Sequence, residues 1–220
     1  MMGFKNWRKT VPPRRQNGLK YLSDYSEAEA NYIMTSPEYT RAIMVREPKD
    51  RLLNTFIDAQ LNFTDIFDSC CRGNWECSRR ALRAFPNFVY LVRECDQFEW
   101  RPQGERMEPR YYQYLNSVTH FETAGDDARA LLTRIGTWKE YGETGWGVNG
   151  TAAIFSGKPK RKYWLRKHYN YRLERVVDSI YESDYSRAVL DLRKRQLFNE
   201  TKVVPPTGEA RNEDHESSIQ

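Results

Sequence analysis

Apolar residues recur at helical spacing through most of the chain. Leu52, Phe56, Ala59, Phe63, Ile66 and Cys70 follow one another in steps of four and three, which puts them on one face of a helix expected over residues 49–72. Leu53, Ile57 and Phe67 widen that face, and Gly73 is placed to cap its end. Residues 75–98 carry the same periodicity in two pieces, because Pro86 cannot sit in a helix interior. Trp75, Leu82 and Phe85 share a face of the first piece, residues 75–85, and Phe88, Leu91, Val92 and Cys95 share a face of the second, residues 87–98.

Start signals mark two earlier helices. Ser26 and Glu29 form a capping box, in which hydroxyl and carboxylate each satisfy the other residue's backbone amide. Ser36-Pro37-Glu38 predicts a second start, with the helix running to about Arg46, ahead of Pro48. Residues 99–125 are broken by Pro102, Gly104 and Pro109, and only 111–121 has weak helical or extended character. A short helix is expected over 126–134, with Asp126 and Asp127 at its positive end and Gly136 beyond it. Residues 136–158 read as a long glycine-rich loop. The final pattern covers 162–198: Leu165, Tyr169, Leu173, Val176 and Ile180 form a stripe that Tyr185, Ala188, Val189 and Leu192 continue after a break at Ser183-Asp184.

These elements predict a mainly α protein, an irregular helical bundle or hairpin core with extended N- and C-terminal arms and a long Gly-rich loop. The expected division is a basic extended arm over 1–23, a helical core over 24–135, the Gly-rich loop over 136–160, a long C-terminal helix or helix pair over 161–204 and an acidic polar tail over 205–220. No repeat of 20 to 50 residues is visible, which argues against a solenoid.

Composition shifts attention from the core to the surface. Leu, Ile, Val and Phe together supply 44 of 220 residues, which is thin for a packed domain, while the chain carries 14 Tyr, 6 Trp and 24 Arg. Tyr, Trp and Arg concentrate at protein interfaces. The net charge of +5 is mild, so a general nucleic-acid coat is not expected and the location of charge matters more than its sum. Residues 1–23 hold Lys5, Arg8, Lys9, Arg14, Arg15 and Lys20 with no acid, which resembles a mitochondrial transit segment in charge although its apolar residues are sparse. Residues 158–172 hold Lys158, Lys160, Arg161, Lys162, Arg166, Lys167 and Arg172, again with no acid, interleaved with Tyr163, Trp164, Tyr169 and Tyr171. Such a stretch suits a phosphate backbone, anionic lipid headgroups or an acidic partner protein.

No stretch is long and apolar enough for a transmembrane segment, and no secretory h-region follows the N-terminal bases. The sequons at Asn62, Asn149 and Asn199 are then chance matches. Cys70, Cys71, Cys77 and Cys95 have spacings that match no zinc knuckle, so reduced buried thiols are the expected state and a disulfide between neighbouring helices the alternative.

Motifs for chemistry are thin. Gly145, Gly147 and Gly150 spell GxGxxG, but no strand leads in and no helix leads out, so nucleotide binding is not expected. His120 and Glu122 would point to opposite faces of extended backbone, and His120, like His168 and His215, reads as a surface or partner contact. No catalytic residue, metal or cofactor is therefore expected. The sequence points to a non-catalytic accessory or structural subunit of a large multiprotein complex, such as a respiratory-chain or ATP synthase assembly at the mitochondrial inner membrane. Its contacts would be Arg8, Lys9, Arg14, Arg15, Lys158, Lys160, Arg161, Lys162, Trp164, Arg166, Lys167 and Tyr169. Its partners would be other protein subunits and possible anionic lipid headgroups. An RNA-contacting ribosomal subunit is the next reading, and an enzyme with a phosphate site in the 136–158 loop the third.

Overall fold

The computed structural model describes residues 20–62, 70–97, 99–143 and 162–198. It is mainly helical, as the periodicity predicts. The described helices are α1 (Glu27–Thr35), α2 (Pro48–Asn62), α3 (Trp75–Arg83), α4 (Phe85–Glu94), α5 (Ala124–Arg134), α6 (Trp138–Tyr141), α7 (Lys162–His168), α8 (Tyr171–Ile180) and α9 (Glu182–Ser186). Two short strands, β1 (Ala42–Val45) and β2 (Ser117–His120), accompany them.

The local signals explain where most helices begin. At α1 the Glu29 amide donates to Ser26 Oγ at 3.3 Å and the Ser26 amide donates to Glu29 Oε2 at 2.9 Å, which is the capping box expected. Asn74 caps α3 and Asn170 caps α8, each accepting a backbone amide from three residues on. Pro86 stands in the first turn of α4, where its missing N–H costs nothing. Gly73 and Gly136 take the left-handed conformation (φ 71° and 76°) that ends a helix most readily at glycine.

Three expectations are corrected. No helix runs from Ser36 to Arg46. Instead Ala42–Val45 pairs in parallel with Ser117–His120, in the register Ala42↔Ser117 to Val45↔His120. Ile43 and Val45 fit a pleated strand, and partners 75 residues away supply the ladder bonds that a local reading cannot see. The long C-terminal pattern breaks at Tyr169-Asn170 rather than only near Ser183, because Asn170 turns its side chain to cap α8. The cysteines are also not free thiols. Cys70 is bonded to Cys95 and Cys71 to Cys77.

The main core joins α2, α3 and α4 to α7 and α8. Leu53, Phe88, Val89, Leu165 and Val177 are fully buried in it, and Leu52, Phe56 and Ala59 line α2 on the predicted face. Phe63 and Ile66 of that stripe lie outside the described residues. Phe85 meets Phe56 at 5.3 Å and Tyr169 at 4.9 Å between ring centroids, both edge-on, so the aromatic-rich composition serves the interior as well as the surface. A smaller cluster of Val45, Tyr112, Leu190 and Leu192 backs the strand pair.

One ionic contact crosses this core. The Lys49 ammonium, fully buried, lies 2.8 Å from Asp178 and 3.2 Å from Glu174 of α8 and donates to the Arg195 carbonyl. Glu174 also accepts the Leu197 and Phe198 amides, so one carboxylate pins the chain after α9 as well. Removing one partner of such a set leaves an uncompensated buried charge. Lys49→Ala should lower stability by about 3–5 kcal/mol in denaturant unfolding. Loss of the Cys70–Cys95 link, which closes the longer of the two disulfide loops, should cost about 3 kcal/mol in a C70S/C95S variant and the Cys71–Cys77 link about 2, read as shifts in unfolding midpoint.

Candidate functional site

Because β1 and β2 are parallel, their carboxyl ends lie side by side at Val45 and His120. In open parallel sheets the turns beyond the carboxyl ends form the natural crevice for a ligand. Here those turns are Arg46-Glu47 leading into α2 and Phe121-Glu122-Thr123 leading into α5.

The Arg46 guanidinium lies flat over the Phe121 ring, 4.2 Å from its centre, and donates through Nε and Nη2 to Asp50 Oδ2 at 2.9 and 2.8 Å. Gln103 clamps its backbone from the far side, with Oε1 accepting the Arg46 amide at 2.9 Å and Nε2 donating to the Arg46 carbonyl at 2.8 Å. Gln103 is itself held by Asp184, and Asp184 Oδ1 accepts the Gly104 amide at 2.6 Å. The Arg46 head is thus a positioned planar cation, with 14% of its side chain exposed at the strand edge.

Glu47 is buried and faces inward. Its Oε2 accepts the Asp50 amide at 2.8 Å, its Oε1 accepts the Tyr185 hydroxyl at 3.1 Å, and its own amide donates to Glu122 Oε1 at 3.0 Å. The first turn of α2 is therefore already capped by a carboxylate of this chain, and an anionic ligand at the edge has to be held by side chains rather than by that helix terminus. Burial raises the Glu47 carboxyl above its ordinary value near 4.5, against the lowering effect of the Asp50 amide and Lys49. Burial likewise raises the Asp184 carboxyl above its ordinary range, and the Tyr185 hydroxyl is held far above its own by burial and by Glu47.

His120 closes the other side. Its ring Nε2 lies 3.1 Å from the Leu190 carbonyl, which fixes the proton on that nitrogen and leaves the Nδ1 lone pair on the side of Asp127, 3.9 Å away. Asp127 Oδ2 also accepts the His120 amide at 2.7 Å and the Thr123 hydroxyl at 2.8 Å. The arrangement sets a fixed imidazole, a carboxylate 3.9 Å from its Nδ1 and the Arg46 guanidinium around one edge.

Most of the charged residues singled out in the sequence are not at this edge. Arg8, Lys9, Arg14, Arg15, Lys158, Lys160 and Arg161 lie outside the described residues, as do Gly145, Gly147 and Gly150. Lys162 opens α7. Trp164 and Lys167 are on the exposed side of α7, with Lys167 Nζ 5.2 Å from the Trp164 ring centre, and Arg166 Nε donates to the Leu197 carbonyl. Tyr169 is corrected from a partner contact to a core residue. It is 4% exposed, its hydroxyl donates to the Lys49 carbonyl at 2.9 Å, and burial raises it well above its ordinary value. Conversely, Arg46, Glu47 and Asp127 carry no motif that marks them. The one sequence signal is a base and an acid immediately ahead of Pro48 at a helix start.

Comparison with known proteins decides the family. The sulfotransferase family model matches residues 4–187, a span that includes both strands and the side chains of Arg46, Glu47, His120 and Asp127 at their edge. The chain belongs to the sulfotransferase family. No curated protein and no solved structure is similar enough to the chain to count as a match. The family assignment overturns the reading as a non-catalytic subunit of a respiratory or ATP synthase complex, and with it the ribosomal alternative: low aliphatic content and abundant Arg, Tyr and Trp suit an assembly piece, but they suit a sulfotransferase family member equally.

The raised carboxyls at this site set the sign of a pH effect. A group whose folded pKa lies above its unfolded one holds its proton more tightly in the native state, so stability declines as pH rises from the unfolded value upward. Glu47→Gln should therefore flatten the loss of stability above about pH 4.5, measured as unfolding midpoint against pH. Wild type and variant should lie closest together at acid pH.

Proposed function

We propose that this protein transfers a sulfuryl group from an activated sulfate to a nucleophilic acceptor, and that the carboxyl edge of β1 and β2 is where the transfer takes place. The observation that carries the reading is the family match across that edge. The donor class follows from the chemistry. Free sulfate has no adequate leaving group, so the sulfur must arrive on a good one, and a mixed anhydride with phosphate supplies it.

In the step itself the acceptor oxygen or nitrogen bonds to sulfur and the bond from sulfur to the bridging oxygen breaks. The electron pair stays with the departing phosphate, and the acceptor proton goes to a base. Arg46 is suited to the departing anion through its Nη1 side, because Nε and Nη2 already donate to Asp50, and its position is set by Gln103, Phe121 and Asp50. His120 is suited to the proton, which Nδ1 takes up beside Asp127. Glu47 keeps α2 capped and the Arg46 backbone in place. The two disulfides support a compartment in which cysteines stay oxidised.

The test is calorimetric binding of a nucleotide phosphosulfate, followed by transfer of radiosulfur to hydroxyl- and amine-bearing acceptors. His120→Ala should lower kcat by about a hundredfold or more with little change in donor KM. Arg46→Lys, which keeps charge but loses the fork, should raise donor KM on the order of tenfold. Failure of the donor both to bind and to be consumed would remove the proposal.

A further inference from the structure

We infer that one face of the molecule, made by the end of α2, the arginine-rich side of α3 and the outer side of α7, docks on an anionic phospholipid surface. It uses none of the residues assigned to the strand edge, so it stands or falls separately from sulfuryl transfer.

α2 packs against both α3 and α7. Arg79, Arg80 and Arg83 are exposed on α3 and, with Gln60 and Glu76, line a surface groove of about 740 Å³. Among the described residues none of these three guanidinium groups has a carboxylate within ion-pairing distance. Gln60 Nε2 donates to the Leu82 carbonyl at 2.8 Å, which ties the end of α2 to the groove, and Leu61 beside it is 77% exposed. On the other flank Phe85, two residues past Arg83, meets His168 edge-on at 6.2 Å, and His168 stacks on Trp164 at 6.4 Å. Trp164 is 45% exposed, with the Lys167 ammonium over its ring.

The mixture of side chains decides between partners. Fixed cations alone would suit any polyanion. An exposed leucine and an exposed indole among them gain only from contact with an apolar phase, and indole rings favour the headgroup level of a bilayer. Neighbouring bases then gain from the negative potential of anionic headgroups. A soluble polyanion would leave Leu61 in water.

The experiment mixes the full chain with vesicles of phosphatidylcholine and with vesicles of phosphatidylcholine doped with phosphatidylserine, and measures co-sedimentation at low and high salt. Binding is expected only to the doped vesicles and should fall with salt. An R79A/R83A variant, whose changes are both exposed, should keep the wild-type unfolding midpoint and bind about thirty-fold more weakly, from about fivefold per charge removed. Quenching of tryptophan fluorescence by phosphatidylcholine brominated in its acyl chains should fall in W164F. Equal binding to both vesicle types, or full affinity in R79A/R83A, overturns the proposal. So does polyphosphate binding that R79A/R83A abolishes while doped vesicles stay unbound, which would make this a polyanion-binding face.

Discussion

The buried ammonium of Lys49 is the contact on which the two halves of this molecule depend. It sits at the start of α2 and reaches carboxylates of α8, more than a hundred residues later in the chain. An unpaired charge at that depth is not tolerated, so α8 can pack only where Glu174 and Asp178 meet it. Glu174 in turn holds the amides of Leu197 and Phe198, and Tyr169 reaches back to the Lys49 carbonyl. Apolar packing among Phe56, Phe85, Phe88 and Tyr169 supplies most of the driving force. The ionic contact supplies the register, because apolar surfaces slide and a fixed charge does not.

The strand edge inherits its rigidity from this arrangement. Arg46 is one turn ahead of Lys49 on the way into α2, and its backbone is clamped by Gln103, which Asp184 holds through the adjoining turn. A site of this kind is set by backbone pairing and buried side-chain bonds rather than by an exposed loop. Its chemistry has an unusual division of charge. The helix terminus that would ordinarily attract an anion is filled by Glu47, with the Arg46 guanidinium on Asp50 at one side of the edge and His120 beside Asp127 at the other. The family's transfer of a strongly anionic group fits a site where the cation is positioned and the base is separately supported.

The surface divides along similar lines. Four acids, Glu47, Asp50, Glu174 and Asp184, are buried with named partners, while Glu29 serves as an exposed cap. Several arginines are left outward, and Arg79, Arg80 and Arg83 of α3 line one surface groove with Gln60 of α2. A mild net charge of +5 thus coexists with a face where Arg79, Arg80 and Arg83 outnumber the single acid beside them, Glu76.

The mainly helical class, the helices after Ser26, Asn74 and Pro86, and the buried face of α2 are legible from the sequence, because each depends on neighbours within four residues. The strand at Ala42–Val45 is not, since its ladder partner is remote and Ser36-Pro37-Glu38 reads locally as a helix start. The cysteine pairing is illegible for the same reason, and Tyr169 reads both as a member of the apolar stripe and as a surface contact: spacing says which residues share a helix face, but only packing says what that face meets. The site is the extreme case. Arg46 and His120 are 74 positions apart and become neighbours only through the parallel register of Val45 with His120. Local periodicity determined the helices of this protein. The tertiary structure decided which charges are buried, which cysteines are bonded and that Arg46 and His120 meet at one strand edge, because each of those depends on a partner the local sequence does not contain.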